Sequence, residues 1–198
     1  MEDTDEVLIE KIRAGDRVAF QQLVQRHMRK VYAIAYDITL NHYDAEDISQ
    51  QAFLRVYEAL KDFRGEARFS SWLYRIVVNL CINLRRRAYR RSHDPLEEEI
   101  LQRADVSYKT GGHQSQDPER ALYLSEINVH IQRALDHLPR KQRTVFVLKH
   151  YHDFTIREIS QITQSAEGTV KIRLFRAIRK LRKLLEFYRE EIGLDEGL

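Results

Sequence analysis

The sequence is poor in the residues that form turns and covalent cross-links. Its 198 residues include only seven glycines, three prolines and one cysteine. So few turn-forming residues argue against a β-sandwich or barrel, which needs many tight connections between strands. The lone Cys81 has no second cysteine to pair with, and its place in the apolar run IVVNLCINL predicts a buried, inert thiol. The composition therefore favours an all-α protein.

Long apolar runs are also missing. None approaches the ~18 residues of a membrane span, and the acidic start MEDTDEVLIE lacks the apolar core of a signal peptide. We therefore expect a cytoplasmic protein. Charge is abundant, because 33 Lys and Arg accompany 30 Asp and Glu, for a net charge of +3.

The cations are concentrated in two blocks on either side of an acidic middle. One block ends in RRRAYRR, which places five arginines in residues 85–91. Such clusters suit a polyanionic partner such as nucleic acid. The same arginines would also be stable facing only solvent, so both interpretations remain open at this point.

Helical periodicity predicts four helices in the first half of the chain. The first ends at Gly15, the second runs to about residue 38, the third follows the turn LNHY, and the fourth covers 71 to about 90. The predicted N-caps are Asp3 (with Glu6), Asp16, Asp44 (in a capping box with Asp47) and Ser70.

Periodicity is lost from residue 92 to about 118, where the chain is polar and contains two of its three prolines. This composition is typical of a linker. A helix then follows Pro118, and another begins with Pro139 near its first position. The predicted fold is all-α, with two small helical domains, residues 1–93 and 119–198, joined by a flexible linker over 94–118.

The segment 154–183 has the pattern of a helix-turn-helix. Thr155 and Glu158 have capping-box spacing for a short helix over 156–162, and Ser165 is predicted to cap a longer helix from 166. The second helix of such a unit enters the DNA major groove. Gly168 in its first turn would let the backbone approach a neighbour or DNA closely. The apolar stripe expected to face inward is Val170, Leu174, Ala177 or Ile178, Leu181 and Leu185.

This longer helix carries seven cations and no acid over residues 168–183. Cations off the apolar stripe would reach phosphates and guanine edges. A basic helix of this kind could also be a solvated surface helix. Because the charge, the turn and the capped partner helix share one register, DNA binding is the favoured interpretation.

A second segment, FRGEARFSSWLYR at residues 63–75, interleaves aromatic residues with arginine. Unpaired bases stack on aromatic rings while cations follow the phosphate backbone, so the pattern suits single-stranded DNA. The same rings would suit the core of a helix bundle equally well. The pattern alone does not decide between the two.

Two long blocks carry a resemblance to a known family. They are DAEDISQQAFLRVYEALKDFRGEARFSSWLYRIVVNLCINLRRR and LPRKQRTVFVLKHYHDFTIREISQITQSAEGTVKIRLFRAIRKLRK. In this order and spacing they resemble the extracytoplasmic-function (group IV) sigma factors of bacterial RNA polymerase, within the sigma-70 family. The resemblance implies region 2 in residues 1–93 and region 4 in residues 119–198. It implies a promoter-recognition factor without catalysis or cofactor of its own.

The resemblance also implies partners and site residues. The partners are promoter DNA, core polymerase (the clamp helices of the largest subunit and the flap of the second-largest) and an anti-sigma factor. Polymerase contacts would come from Asp44, Asp47, Gln50 and Gln51. Capture of the melted minus-10 element would use Phe63, Arg64, Gly65, Phe69, Trp72, Tyr74, Arg75, Asn79, Arg85 and Arg86. Minus-35 recognition would use Gly168, Thr169, Lys171, Ile172, Phe175 and Arg176. Gln51 and Lys171 stand where the family commonly has glutamate and arginine.

Two other classes of function were weighed against this one. A metal-dependent enzyme would use His150 and His152, or the acidic group in DAED. The two histidines diverge on a helix, so a solvated turn is favoured and no metal site is expected. An autonomous helix-turn-helix regulator would bind duplex DNA without polymerase and would have no use for the aromatic segment.

Overall fold

The computed structural model describes residues 3–84, 127 and 129–191, with side chains up to residue 186. All regular structure in these ranges is helical, which confirms the all-α prediction. None of these helices is long and apolar enough to cross a membrane. The predicted linker, together with Arg85 and Arg86, lies outside the described residues. The helices are α1 (Asp5–Arg13), α2 (Arg17–Thr39), α3 (His42–Ala59), a 3₁₀ turn (Leu60–Asp62), α4 (Phe69–Asn83), α5 (129–136), α6 (Arg140–His150), α7 (Ile156–Thr163) and α8 (Glu167–Glu191).

The caps of α1 and α2 differ in how well the sequence predicted them. Asp16 caps α2 as predicted, and its carboxylate accepts the amide protons of Val18 and Ala19 at 2.8 and 3.2 Å. The predicted Asp3 cap is wrong, because the hydroxyl of Thr4 takes that position. Asp3 instead forms an ion pair with Lys11 at 2.6 Å.

The predicted caps of α3 and α4 are also wrong. Helix α3 begins after Asn41, whose side-chain oxygen accepts the amide proton of Asp44 at 3.0 Å. Helix α4 begins at Phe69 with Arg68 in the cap position, so Ser70 lies inside the first turn. Helix α3 therefore starts three residues before the sequence prediction and α4 two residues before it, because the backbone reaches helical geometry earlier than the candidate cap.

The helix-turn-helix is confirmed. The Thr155 hydroxyl accepts the amide proton of Glu158 at 3.2 Å, and the Glu158 carboxylate accepts that of Thr155 at 2.8 Å. These bonds to Thr155 lower the pKa of Glu158. The turn passes through Gln164 in the left-handed conformation, and α8 begins at Glu167. Pro139 occupies the cap of α6 rather than its first helical position.

A single apolar core joins the two halves of the chain. Helices α2, α3 and α4 contribute fully buried side chains such as Leu23, Ile34 and Leu73, and the core continues into Leu148 and Ile159 of the second half. Helix α7 packs against α4, and α6 packs against α2. A second, smaller cluster consists of Ala134, Leu135, Leu138, Ala177 and Leu181.

Two arginines of α6 add polar contacts between the halves. Arg140 donates to the carbonyl of Cys81 at 2.7 Å, and Arg143 donates to the carbonyl of Ile38 at 3.2 Å. Both carbonyls belong to the last turn of a helix, where a cation is favourable. Cys81 is fully buried, as predicted, and burial raises the pKa of its thiol to about 12. Its lack of reactivity stays a prediction.

Candidate nucleic-acid interface

The N-terminal half of α8 presents cations and apolar side chains together to solvent. Lys171 and Arg176 are exposed, and Ile172 and Phe175 keep 54% and 66% of their surface accessible. Ala177 on the inner side is fully buried while Ile178 is 36% exposed, so Ala177 is the inward residue of the two left open by the periodicity. Exposed apolar groups beside cations on one helix suit the thymine methyls and acceptor groups of a major groove.

Gly168 and Thr169 lie at the exposed start of this same helix. A Cβ added to Gly168 would meet no protein atom within 4 Å, among the described residues. The expectation that Gly168 allows a close protein neighbour is therefore wrong. Close approach of a DNA backbone remains a prediction.

The turn before α8 is fixed by a chain of polar contacts. Arg173 donates to the Ser165 hydroxyl at 2.9 Å, and the Ser160 hydroxyl donates to the Ser165 carbonyl at 2.7 Å. Ser165 thus anchors the turn through these contacts, and the helix starts at Glu167, one residue later than predicted. Arg173 ties α8 to the turn through Ser165, a role that counting cations in the sequence did not reveal.

Three aromatic side chains cluster at the start of α4. The ring of Phe63 lies 5.0 Å from that of Trp72 and 6.0 Å from that of Phe69, measured between centroids. Phe69 is only 3% exposed and belongs to the core, whereas Phe63 and Trp72 are half-buried. The core interpretation therefore holds for Phe69, and the other two rings retain accessible surface for a ligand.

The loop between these rings is exposed and basic. Arg64 and Gly65 are both accessible, and Gly65 adopts a φ of 73°, which favours glycine over residues with a side chain. A surface depression beside the loop is lined by Arg13, Lys61, Asp62, Phe63 and Arg64. Three cations against one acid make this depression suitable for phosphate groups.

The remaining predicted minus-10 residues follow along α4, beneath the second half of the chain. Tyr74 packs edge-on against Phe154, with the ring centroids 5.6 Å apart, and burial raises the pKa of Tyr74. Arg75 and Asn79 are half-buried. In this arrangement the helix-turn-helix unit covers part of the surface assigned to single-stranded DNA.

A separate stripe runs along the exposed side of α3. Tyr43, Leu54 and Tyr57 keep 75%, 64% and 53% of their surface accessible, and Asp47 and Gln50 lie between them. The five positions advance in alternating steps of four and three, so they form one line along the helix. We call these five residues the α3 stripe. Apolar residues at this spacing typically pack against another helix.

The other two residues assigned to polymerase contact lie off the α3 stripe. Gln51 donates to the Asp47 carboxylate at 2.6 Å. Asp44 is half-buried, and burial raises its pKa while nearby Arg140 opposes that rise. Sequence reasoning grouped Asp44 with the candidate contacts and did not single out the exposed Tyr43, Leu54 and Tyr57, although their heptad-like spacing was available as a signal.

The histidines weighed as metal ligands separate in the structure. His150 is exposed, whereas the His152 side chain is 5% exposed, with its Nε2 2.9 Å from the Asp37 carboxylate. The prediction of a solvated turn is therefore wrong for His152. Across residues 3–84 and 129–186, no three His, Cys, Asp or Glu side chains converge on a point that could hold a metal ion.

Comparisons with known proteins decide the family. The model of Sigma-70 region 2 matches residues 23–91, and that of Sigma-70, region 4 matches residues 129–181. The ECF RNA polymerase sigma factor SigW of Bacillus subtilis is 35% identical over 89% of this chain and 94% of its own length. The RNA polymerase sigma-H factor of Pseudomonas aeruginosa is 30% identical over 93% and 95%. The chain belongs to the extracytoplasmic-function sigma factors.

Solved structures agree with this sigma factor in fold. CnrH, in complex with the cytosolic domain of CnrY, is 25% identical with a TM-score of 0.63 over 93% of this chain and 98% of its own. The Bartonella quintana sigma factor RpoE, in complex with the anti-sigma factor NepR, has the same TM-score at 24% identity over 84% and 96%.

The family matches divide the surfaces of this sigma factor between its two regions. The region 2 match contains the aromatic cluster and the α3 stripe, and the region 4 match contains the exposed face of α8. Helix α1 precedes the region 2 match, yet it packs against α2 and the 3₁₀ turn.

Proposed function

We propose that this sigma factor uses three separate surfaces during initiation. The α3 stripe docks on core RNA polymerase, the exposed face of α8 reads minus-35 duplex, and the loop 63–69 with its aromatic cluster captures unpaired minus-10 bases. The observation that carries the proposal is the exposed pairing of Ile172 and Phe175 with Lys171 and Arg176 on α8. A solvated helix gains nothing from displaying a large aromatic ring there.

The chemistry of the α8 face supports major-groove recognition. Arg176 has the planar fork that matches the two acceptors of guanine, and Lys171 suits a phosphate as a compact point charge. Ile172 and Phe175 supply apolar contact for thymine methyl groups. Thr169 and Gly168 at the helix start would lie nearest the DNA backbone.

The chemistry of the aromatic cluster supports capture of single-stranded DNA. Phe63 and Trp72 offer partly accessible rings on which an extruded base would stack, and Arg64 lies beside them for the backbone. Phe69 supports the two rings from the core. Tyr74, Arg75 and Asn79 extend the same surface along α4.

The α3 stripe supports docking on a helical partner. Its apolar members lie in one line, and Asp47 and Gln50 add polar contacts between them. Among the polymerase elements expected from the family, the clamp helices of the largest subunit have this geometry. The flap of the second-largest subunit would then hold region 4.

Initiation requires the two regions to separate. By their names, the minus-10 and minus-35 elements lie about 25 base pairs apart, or about 85 Å of duplex at ~3.4 Å per pair. Here α7 packs directly on α4, and α7 itself is only about 12 Å long at ~1.5 Å per residue. The packed arrangement is therefore that of the free protein, and polymerase holds the regions apart.

The protein itself performs no catalysis in this scheme and acts in the cytoplasm with polymerase, which supplies the nucleotide chemistry. An anti-sigma factor is a further proposed partner. Two relatives of the same fold were solved with bound partners, CnrY for CnrH and NepR for RpoE. Binding across regions 2 and 4 would stabilise the packed form by mass action.

Reconstituted transcription tests the proposal. Sigma-free bacterial core polymerase is mixed with fragments of the source genome, with and without this protein, and start sites are mapped. Discrete starts that depend on the protein and are lost in Phe175→Ala are expected. Protein-dependent binding of duplex DNA, without starts or co-migration with core, would support an autonomous regulator instead.

A further inference from the structure

Helix α1 contacts the start of the proposed base-capture loop directly and reaches its end through His27 of α2. At the start of the loop, the Arg13 guanidinium donates a hydrogen bond to the carbonyl of Phe63. At its end, the His27 ring lies edge-on to that of Phe69, 5.3 Å between centroids, and its Nε2 lies 2.9 Å from the Asp5 carboxylate. Asp5 and Arg13 are the first and last residues of α1. The two ends of α1 therefore support the two ends of the loop, Arg13 directly and Asp5 through His27.

The supporting helix is itself firmly held. Leu8 and Ile9 are 0% and 3% exposed in the main core, so α1 cannot shift without opening that core. The second Arg13 nitrogen donates to Glu10 at 2.7 Å, which fixes the guanidinium toward the loop. Arg13 also lines the depression beside the loop together with Lys61 and Arg64.

We propose that Arg13 is a positioning residue for minus-10 capture, holding the Phe63 backbone so that the Phe63 and Trp72 rings keep one geometry. The inference rests on the proposed role of the loop. Phe63 follows the 3₁₀ turn, and its amide donates to the carbonyl of Leu60 at 3.3 Å. This is its one backbone–backbone hydrogen bond within the described residues. The Arg13 contact provides the second attachment, through the carbonyl. Because α1 precedes the matched region 2, the family match alone does not assign it this role.

Trp72 is the only tryptophan and lies 5.0 Å from Phe63, so it reports on the loop directly. The test compares Arg13→Met, which keeps the side-chain stem but removes the donors, with the exposed control Arg17→Met on α2. Acrylamide quenching of Trp72 is measured in the free protein, with circular dichroism as the check on folding. A higher quenching constant in Arg13→Met alone is the expected result.

The functional arm uses the same variants with core polymerase. Permanganate reactivity of minus-10 thymines should fall at least about tenfold in Arg13→Met, the effect of losing one hydrogen bond to a charged group. Affinity for core and protection of the minus-35 duplex should be unchanged. Arg13→Lys, which keeps a cationic donor nitrogen, should recover much of both signals. Arg13→Ala, which also removes the donors, replaces Arg13→Met if that variant fails to fold.

Equal quenching in wild type and Arg13→Met, or an equal change in Arg17→Met, would overturn the inference. So would normal promoter opening by Arg13→Met. If wild-type protein opens no promoter with core, the proposed function fails, while the quenching comparison still decides whether Arg13 holds the loop.

Discussion

The ring of Phe154 lies edge-on against Tyr74, with the ring centroids 5.6 Å apart, and Lys30 lies over the same ring at 5.6 Å. Phe154 precedes α7, and Tyr74 belongs to α4, so this contact joins the helix-turn-helix unit to the proposed minus-10 surface. In the proposed function, promoter DNA and Phe154 would compete for the same side of Tyr74. The contact is therefore one that initiation would have to break.

Phe154→Ala should shift the free protein toward the open arrangement. The edge contact contributes roughly 0.5–1.5 kcal/mol beyond the area that it buries. Dyes on Gln22→Cys and Arg182→Cys would report the separation of the two halves by energy transfer, because buried Cys81 is expected to resist labelling. Transfer should fall in Phe154→Ala and fall further when core polymerase is added.

The exposed substitution Arg157→Ala on α7 serves as the control and should leave the transfer unchanged. Identical transfer in the free and polymerase-bound wild type would contradict the opening step. Identical transfer in wild type and Phe154→Ala would instead show that this ring does not hold the halves together.

The capping box of α7 makes a prediction about stability. Thr155→Ala should lower the free energy of unfolding by about 0.5–2 kcal/mol at neutral pH, since one hydroxyl satisfies an otherwise free amide. Ser70→Ala should cost less, because Ser70 lies within the first turn of α4 and is not its cap. Urea unfolding of both variants checks the comparison, and an equal loss would restore Ser70 as a cap.

The difference in unfolding free energy between wild type and Thr155→Ala should depend on pH in one direction. The pKa of Glu158 is held below its usual value of 4.5 by the bonds to Thr155, so its contribution is complete above that pH. The contribution is lost as the pH falls through the lowered folded-state pKa. The gap between wild type and Thr155→Ala should therefore narrow in acid, and a gap that widens below pH 4 would contradict the assignment.

The sequence predicted helices more reliably than their first residues. Apolar spacing identifies α2 and α8 because burial of one face dominates their stability. The N-cap residue of a helix is harder to predict, because several polar residues near the start of the helix could cap it. At α3, for example, both Asn41 and Asp44 could have served, and Asn41 is the cap. Thr155 with Glu158 was predictable because two reciprocal bonds specify one register.

The packing of the two halves could not be predicted in the same way. Phe154 lies in a loop without periodicity, and the Arg140 and Arg143 contacts end on backbone carbonyls that carry no sequence signal. His152 looked like a solvated turn because Asp37, its partner, lies more than a hundred residues away. The α3 stripe, by contrast, was visible in the spacing and was missed.

Leu54→Ala should weaken binding to core polymerase without affecting folding. The side chain is 64% exposed, so its loss leaves no cavity, whereas burial against a partner helix would make it worth about 1–2 kcal/mol. Val18→Ala on α2 is the matched control, at 59% exposure away from the α3 stripe. Fluorescence anisotropy with labelled protein should show about tenfold weaker binding for Leu54→Ala only.

Asp44→Asn tests whether Asp44 contacts core polymerase or instead supports the packing between the two halves of the chain. Asp44 is half-buried near Arg140, so its loss should disturb the packing between the halves more than binding to core. A loss of polymerase affinity larger than that of Leu54→Ala would return Asp44 to the contact surface.

On α8, Arg176→Ala and Lys171→Ala should weaken minus-35 DNA binding in different ways. If Arg176 reads a guanine, its loss should cost ~1–3 kcal/mol on the preferred minus-35 sequence and reduce discrimination against single-base changes. If Lys171 contacts phosphate, its loss should weaken all sequences alike and reduce the salt slope by about one ion. Holoenzyme affinity on promoter variants at several salt concentrations distinguishes the two. Arg182→Ala, exposed further along α8, is the control, and an equal effect there would mean that the helix contributes only general charge.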